Sequence, residues 1–303
     1  MTLHVMGEAL IDLIISADGS IDAVPGGGPF NLARAAARLG TEVTFAGGIS
    51  DDPFGRRIAE LLLADGVSTS VPTRTGRPTT LALAQINDAG SATYTFYMDG
   101  TAGAMVHTDE IAPHGMAAAI ALGTLSIVME PIASAIEEAC GRIPAETLVF
   151  FDPNCRPSTV RDRQAFVGRV QRLYSYAQVV KVSTEDIEFL HPGTDPREAA
   201  LAILALGPQV VLLTDGGQAV TVFHASGAFH VDVPTVTVVD SVGAGDAFGG
   251  AFLSFWLGIG HGVSDLADTE ALRATVERAV TVAAFTCTRQ GANPPRIDEL
   301  PTL

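Results

Sequence analysis

The chain has 303 residues, 47% of them hydrophobic, and a formal net charge of −16. That length can bury a large core, as one domain or one with an appendage, while the acidic balance excludes nucleic acid and anionic membrane as partners, since both need a basic face. Three cysteines, Cys140, Cys155 and Cys287, are far apart and odd in number, which points to a reduced, cytoplasmic protein with neither a disulfide framework nor a zinc site. Each reads as a small buried hydrophobe before it reads as a catalytic thiol. No apolar run is long and clean enough to span a membrane. The opening Met1-Thr2-Leu3-His4-Val5-Met6-Gly7-Glu8 reads as a strand, not as a signal peptide.

Residues 5–15 are strand-like, with Asp12 inside an apolar run. Burying a carboxylate there is costly without partners, so Asp12 is either an edge-strand residue facing solvent or one retained by a ligand with several hydroxyls. Ala17-Asp18-Gly19-Ser20 is a hairpin turn. Pro25-Gly26-Gly27-Gly28-Pro29-Phe30-Asn31 then runs into a helix over 32–40. The glycines let another molecule come close to the backbone, and Asn31 offers donor and acceptor from the first turn; a flexible loop with a helix cap reads as well there. Residues 41–49 make a strand, and Asp51-Asp52-Pro53-Phe54-Gly55 opens a helix through Ala64. Extended stretches follow at 70–73, 79–86 and 92–98, the last two joined by a hairpin at Asn87-Asp88-Ala89-Gly90. They predict a small antiparallel sheet, inserted from about 12–25 and 70–100, as a lid on a single domain spanning 1–303. Tyr94, Phe96 and Tyr97 on it pack within the sheet, cover a ligand or meet a partner subunit. An apolar lid face left alone makes a homodimer through it an expectation.

From residue 117 strands and helices alternate. Strands are predicted over 122–128, 147–151, 178–182 and 209–214, with helices ending at 140, over 162–176, starting at 183 and over 196–206. Two more strands near 220–224 and 229–233 and a long helix over 270–287 complete the chain. Such alternation predicts an α/β fold with a doubly wound, mostly parallel sheet and helices on both faces. Ligands then gather at the carboxyl ends of the strands. Glu130, Asp152, Asn154, Arg156, Ser183, Asp186, Thr214 and Asp246 all fall just after predicted strands or at the turn below. Any one is explained as a helix cap; eight on one rim point to a site. There is no His-x-x-x-His pair and no Gly-x-Ser-x-Gly, so zinc peptidase and serine hydrolase readings have no support.

The densest signal is Asp240-Ser241-Val242-Gly243-Ala244-Gly245-Asp246-Ala247-Phe248-Gly249-Gly250, between the alternation Thr235-Val236-Thr237-Val238-Val239 and an apolar run from Ala251. It reads as a strand, a glycine turn and a helix start. The first amides of a helix have no internal partners and sit at its positive end, which suits phosphate. A carboxylate beside an anion site needs a reason. Asp246 is either a general base, with the amides holding the charge of a transferring phosphoryl group, or a helix N-cap. The turn is not a Walker A loop, because the one lysine, Lys181, lies elsewhere. Phe248 stands where G-x-G-x-x-G needs its third glycine.

These eleven residues resemble the Asp-Thr-x-Gly-Ala-Gly-Asp signature of the ribokinase-like (PfkB) carbohydrate kinases, with Ser241 for threonine. Gly26, Gly27 and Asn31 resemble the family's Gly-Gly-x-x-x-Asn, and the likeness runs from Gly7 to about Pro294. Gly-Glu-Ala-Leu-Ile-Asp at the start, Met129-Glu130-Pro131 and Asp152-Pro153-Asn154-x-Arg156-Pro157 look like the bacterial fructokinases of that family. The resemblance implies transfer of the ATP γ-phosphoryl group to a primary hydroxyl of a small sugar, fructose first, with 2-keto-3-deoxygluconate, ribose or a nucleoside as alternatives. It implies Asp246 as base, and the amides of Gly243, Ala244 and Gly245 as an anion hole that also serves the nucleotide. Asp12, Gly26, Gly27, Asn31 and Glu130 would line the sugar, with Phe96 over it, and Asn154 and Arg156 would lie near the transferred phosphate. Lys181, Ser183, Thr214, Gly216, Arg289 and Gly291 would follow the nucleotide. Mg2+ and K+ are implied as cofactors, K+ at Asp240. The family's Asn-x-x-Glu is here Ser183-x-x-Asp186, whose shorter acid would reach Mg2+ through a water. Gly28 stands where many members carry Ser or Lys, and Phe30, where many carry Ala, narrows the sugar end. An acidic chain must then gather positive potential locally from helix ends, Mg2+ and a few arginines. Two other classes compete: a dinucleotide-dependent oxidoreductase, disfavoured by the missing G-x-G-x-x-G, and a non-catalytic sugar sensor, disfavoured by the intact Gly-Ala-Gly-Asp.

Overall fold

The computed structural model describes residues 1–16, 18–86, 92–113 and 117–300. In chain order the elements are β1 (Thr2–Met6), β2 (Leu10–Ile15), β3 (Ile21–Gly26), α1 (Gly28–Arg38), β4 (Glu42–Ala46), α2 (Pro53–Ala64), β5 (Ser68–Thr69), β6 (Thr80–Ile86), β7 (Ala92–Tyr97), α3 (Thr108–Ile111), β8 (Ala119–Gly123), α4 (Ile132–Cys140), β9 (Leu148–Asp152), α5 (Arg163–Tyr174), β10 (Val179–Ser183), α6 (Thr184–Leu190), α7 (Pro196–Leu204), β11 (Val210–Thr214), β12 (Ala219–His224), β13 (Gly227–Asp232), α8 (Ala244–Gly258) and α9 (Thr269–Cys287). Nine strands form one sheet in the order β13-β12-β11-β10-β9-β8-β1-β4-β5. It is parallel from β11 to β5, and β12 and β13 close the other edge antiparallel.

Strands covered on both faces read as nearly continuous apolar runs, and side-chain alternation sorts them into two cores. Leu148 and Phe150 of β9, Val179 of β10 and Leu212 of β11 share one core with Ala33 of α1, Phe252 of α8 and Val276 of α9. Val149, Phe151, Val180 and Val211 share the other with Ile136 of α4, Phe166 of α5, Ile187 of α6 and Ile203 of α7. Phe150 and Val179 are paired across β9 and β10. Two places further along the same face come Asp152 and Lys181, so the register aims both at the α1–α8 layer.

The structure corrects several expected elements. The strand over 5–15 is two strands, because the chain bends at Gly7, where a Cβ would overlap the Pro29 ring. β2 then leaves the main sheet for a second one, ordered β3-β2-β6-β7. That sheet is not wholly antiparallel: β2 runs parallel to β6, Asp12 opposite Ala82. The two strands come from separate segments joined by a long crossover, which permits parallel pairing. β2–β3 and β6–β7 are the expected antiparallel pairs, although residues 87–90 lie outside the described residues. The stretch at 70–73 gives way to the two-residue β5, which extends the main sheet beside β4. α1 begins at Gly28 rather than 32, capped by Gly27 at a φ of 107°. The strand expected over 122–128 stops at Gly123, and a 3-10 turn follows over Thr124–Ile127. Residues 235–239 alternate without pairing, because no neighbouring strand receives them: Val238 and Val239 are exposed, and the amides of Val239 and Asp240 both donate to Cys287 O. Among the described residues no helix is long and apolar enough to cross a membrane.

Candidate active site

The glycine turn works because Gly243 adopts a φ of 77° as the N-cap of α8. No Cβ fits there, since it would lie 2.5 Å from the Ala292 side chain. The turn thereby brings the first residues of α8 against the 289–292 loop. Ala244 N donates to Ser241 O at 3.2 Å and Ala247 N to Gly243 O at 2.8 Å. Asp246, in the first turn of α8, is buried.

The glycines at 26–28 set the opposite wall. A Cβ at Gly26 would overlap Asp12 Oδ2, and one at Gly28 would lie 3.2 Å from Asp246 Oδ1. Only bare backbone lets the carboxylates of Asp12 and Asp246 come this close to the chain. One turn into α1, Asn31 Nδ2 donates to Asp246 Oδ2 at 2.9 Å. Asn31 Oδ1 is buried and has no partner. A buried acceptor left open points to a group that arrives with a ligand. The fold therefore brings Asp12, Gly26, Gly27, Asn31 and Asp246 together from four elements.

Burial raises the pKa of Asp246, and the Asn31 hydrogen bond, Lys181 and Arg156 pull it back. Burial likewise lifts Asp12 to about 6, with Arg156 lowering it and Asp246 raising it. Arg156 also closes on its own turn, where Nη1 donates to Asn154 Oδ1 at 2.6 Å, and Asn154 sits at a φ of 37°. On the far side, Asp240 ties the two loops: its Oδ1 accepts from Val242 N at 3.0 Å and its Oδ2 from Gly291 N at 2.9 Å. Thr214 Oγ1 donates to Val182 O at 3.4 Å, and Gly216, with a φ of 52°, has open space where a Cβ would stand.

Other expected site residues are engaged elsewhere. Glu130 is exposed, with Oε1 accepting from Arg169 Nη2 at 2.6 Å and Oε2 from Ser134 N at 3.2 Å. Its carboxylate serves the α4–α5 surface, not the cluster around Asp246. Asp186 is the returning half of a capping box: its Oδ2 accepts from Ser183 N and Oγ at 2.9 and 2.8 Å, and its Oδ1 from Cys155 N at 2.6 Å. Those bonds occupy both oxygens, which disfavours direct metal ligation. Arg289 Nη2 pairs with Glu299 at 2.7 Å and its guanidinium lies over Phe285. Phe96, half-buried, stacks on Tyr94 within the small sheet.

Two residues of this region were not foreseen. Glu8 is buried, its Oε1 accepts a short bond from Thr124 Oγ1, and its Oε2 accepts from Ser126 N at 2.8 Å. Thr124 is held at a φ of 59°, and a Cβ on Gly28 would overlap its methyl. The sequence signal for Glu8 is a carboxylate at a strand end among apolar residues, as at Asp12. Burial lifts Glu8 to about 7, against hydrogen bonds from Thr124 and Ser126 that lower it. The folded state therefore holds a proton that the unfolded chain releases near pH 4.5, so this group's contribution is complete below that pH and lost as pH rises through 7. Glu8→Gln mimics the protonated acid. It should match wild type at pH 3.5 and exceed it in stability at pH 8, by a difference on the order of 3 kcal/mol. Urea melts at the two pH values check this, and equal differences at both would refute it.

The pfkB family carbohydrate kinase model matches residues 2–299. A fructokinase of Rhizobium leguminosarum bv. trifolii is 33% identical over 253 residues, covering 82% of this chain and 77% of its own. The crystal structure of a fructokinase with bound ATP from Xylella fastidiosa superposes with a TM-score of 0.89 at 28% identity, over 99% of this chain and 95% of that one. A double mutant of the Vibrio cholerae O395 fructokinase, solved with fructose, ADP and potassium ion, superposes at 0.85 and 25% identity, over 96% and 93%.

Proposed function

The chain belongs to the pfkB family of carbohydrate kinases, and on that premise we propose that it moves the γ-phosphoryl group of ATP to a primary hydroxyl of fructose, giving fructose 6-phosphate. The observation that carries the mechanism is the Asn31–Asp246 hydrogen bond at the start of α8. Asn31 steers one carboxylate oxygen and leaves the other for a substrate hydroxyl, while its own open Oδ1 accepts from a second hydroxyl. Asp246 takes the proton as the hydroxyl oxygen attacks phosphorus, and ADP leaves. The amides of Gly243, Ala244 and Gly245 lie where a helix start favours the negative charge spread over the transferring group. Asp12 and Arg156 frame the sugar and phosphate sides of that oxygen.

Mg2+ would neutralise phosphate charge on the nucleotide. Among the described residues no three His, Cys, Asp or Glu side chains converge on one point, which suits an ion held mainly by phosphates and water, with Asp186 reached through a water. Asp240, which braces the 240–243 and 289–292 backbones, fits a K+ site built from their carbonyls. The Vibrio cholerae relative solved with a potassium ion supports K+ as the ion.

Fructose as acceptor rests on the fructokinase relatives. ADP release with ATP, Mg2+ and K+ should favour fructose over ribose, glucose, mannose, 2-keto-3-deoxygluconate and adenosine by at least about tenfold in kcat/KM. Preference for another acceptor would replace the sugar, and silence on all six would count against a kinase. We also place the protein in the cytoplasm, where its free thiols stay reduced, as a homodimer through the small sheet, whose Ile21, Tyr94 and Tyr97 are exposed. A monomer mass by gel filtration of the assayed sample would remove the dimer.

A further inference from the structure

Of the 18 lysine and arginine residues, one is lysine. Lysine normally carries its charge out to water along a flexible stem. Lys181 does the opposite: its side chain is 6% exposed, and Nζ donates to Asp152 Oδ2 at 2.7 Å, itself 8% exposed. The register that turns Val179 and Phe150 toward α1 and α8 turns this pair the same way, under the start of α8. A Cβ built on Gly245 would lie 3.3 Å from Nζ. Gly245 is thus what lets the ammonium rise against the glycine turn. A compact ammonium fits where a planar guanidinium fork would need more room. Asp152 Oδ1 is buried with no partner, so the pair is held by one bond rather than locked in a wider network.

The charges around Asp246 come from every neighbouring element. Glu8 follows β1, Asp12 lies on β2, Asp152 ends β9, Arg156 follows it, Lys181 lies on β10 and Asp186 opens α6 beyond Lys181. Three carboxylates, Glu8, Asp12 and Asp152, thus share the field of Asp246, against two cations, while Asp186 acts on Asp152 and Lys181. Arg156 is exposed and partly committed to Asn154, whereas the buried Lys181 acts through little water and is the less screened.

We propose that Lys181 is a positioning residue for the transfer: held by Asp152 beneath Gly245, its ammonium keeps Asp246 ionised and makes the glycine turn positive without touching the nucleotide. This rests on Asp246 as the base. Lys181 exchanges no atom in the reaction; the proton passes from the sugar hydroxyl to Asp246 and the phosphoryl group from ADP oxygen to sugar oxygen.

Removing either partner changes the local charge with opposite sign, which separates this role from a structural one. In profiles of kcat/KM against pH, Lys181→Met should move the acidic limb up by about one unit or more, and Asp152→Asn should move it down. KM for ATP should stay within about threefold in both. If Lys181→Met does not fold, Asp152→Asn and the single lysine itself still decide. In enzyme labelled with 15N-lysine, the one side-chain signal should report a charged Nζ and move with pH in step with the acidic limb. In Asp246→Asn the part of that movement that follows the limb should vanish, leaving only the response to Asp152, which is bonded to Nζ. Limbs shifting together, or fixed limbs with turnover lost at every pH, would leave Lys181 a purely structural residue. A large rise in the KM for ATP with no limb shift would make it a direct nucleotide ligand. Turnover retained in Asp246→Asn overturns the base itself, whereas an inactive Asp246→Asn with unmoved limbs overturns this inference alone.

Discussion

Asp246→Asn should lower kcat by about 10³-fold, within the 10²–10⁴ range of general-base catalysis, while leaving fructose affinity close to wild type. The asparagine keeps the shape of the side chain and, through its Oδ1, the acceptor for Asn31 Nδ2. It loses only the ability to take a proton. Because a neutral amide also relieves the crowding by Glu8 and Asp12, which share the field of Asp246, the sugar has no reason to bind less tightly. Steady-state kinetics with calorimetric fructose binding read both quantities. Turnover within tenfold of wild type would mean that the proton leaves by another route and that Asp246 is a cap for α8.

The largest stability effect is expected away from the chemistry, at Asp65. This residue ends α2, and its carboxylate, 2% exposed, receives Arg34 Nε at 2.7 Å, Arg38 Nε at 2.9 Å and Arg296 Nη2 at 3.0 Å. Asp65→Ala strands the Arg34 guanidinium, whose side chain is 7% exposed. Breaking such a pair from one side costs about 3–5 kcal/mol, because a buried charge is left without its counterpart. Arg38 and Arg296 reach solvent more easily, so a loss of about 3 kcal/mol is the expected result in urea unfolding. A loss under about 1 kcal/mol would show that water reaches Arg34 and that the pair is a surface one. The same network reaches the site: Arg38 Nη1 donates to Asn293 Oδ1 and Pro294 O, each at 2.7 Å. It thereby holds the segment that follows the 289–292 loop, so the variant should also bind nucleotide more weakly.

The parallel strands were legible because each is a short apolar run buried on both faces, followed by a polar residue at its carboxyl end. β9 to β11 show this best. Sheet membership was less legible, since it depends on which neighbour is present. The alternation over 235–239 has a strand's pattern and no strand beside it, while β5 has little pattern and pairs because β4 presents an edge. In the site, Asp12, Asn31 and Asp246 stood out as polar residues in places where burial demands a partner. Glu8 obeys the same rule but was hidden, because its partners Thr124 and Ser126 lie more than a hundred residues away. The partner of Glu130 was hidden for a similar reason: Arg169, on α5, reaches it across the surface. The pairing of Ser183 with Asp186 was readable as a capping box from its spacing alone.

Concentrating the chain's one ε-amine inside the fold has a consequence at the surface. Among the lysine and arginine residues every exposed charge is a guanidinium, so enzymes and reagents that acylate or conjugate lysine side chains find no such side chain of this chain on the folded exterior. Control of this protein through lysine acetylation or through a lysine-linked degradation tag would require the main sheet to open first, which ties any such mark to the unfolded chain rather than to the working one.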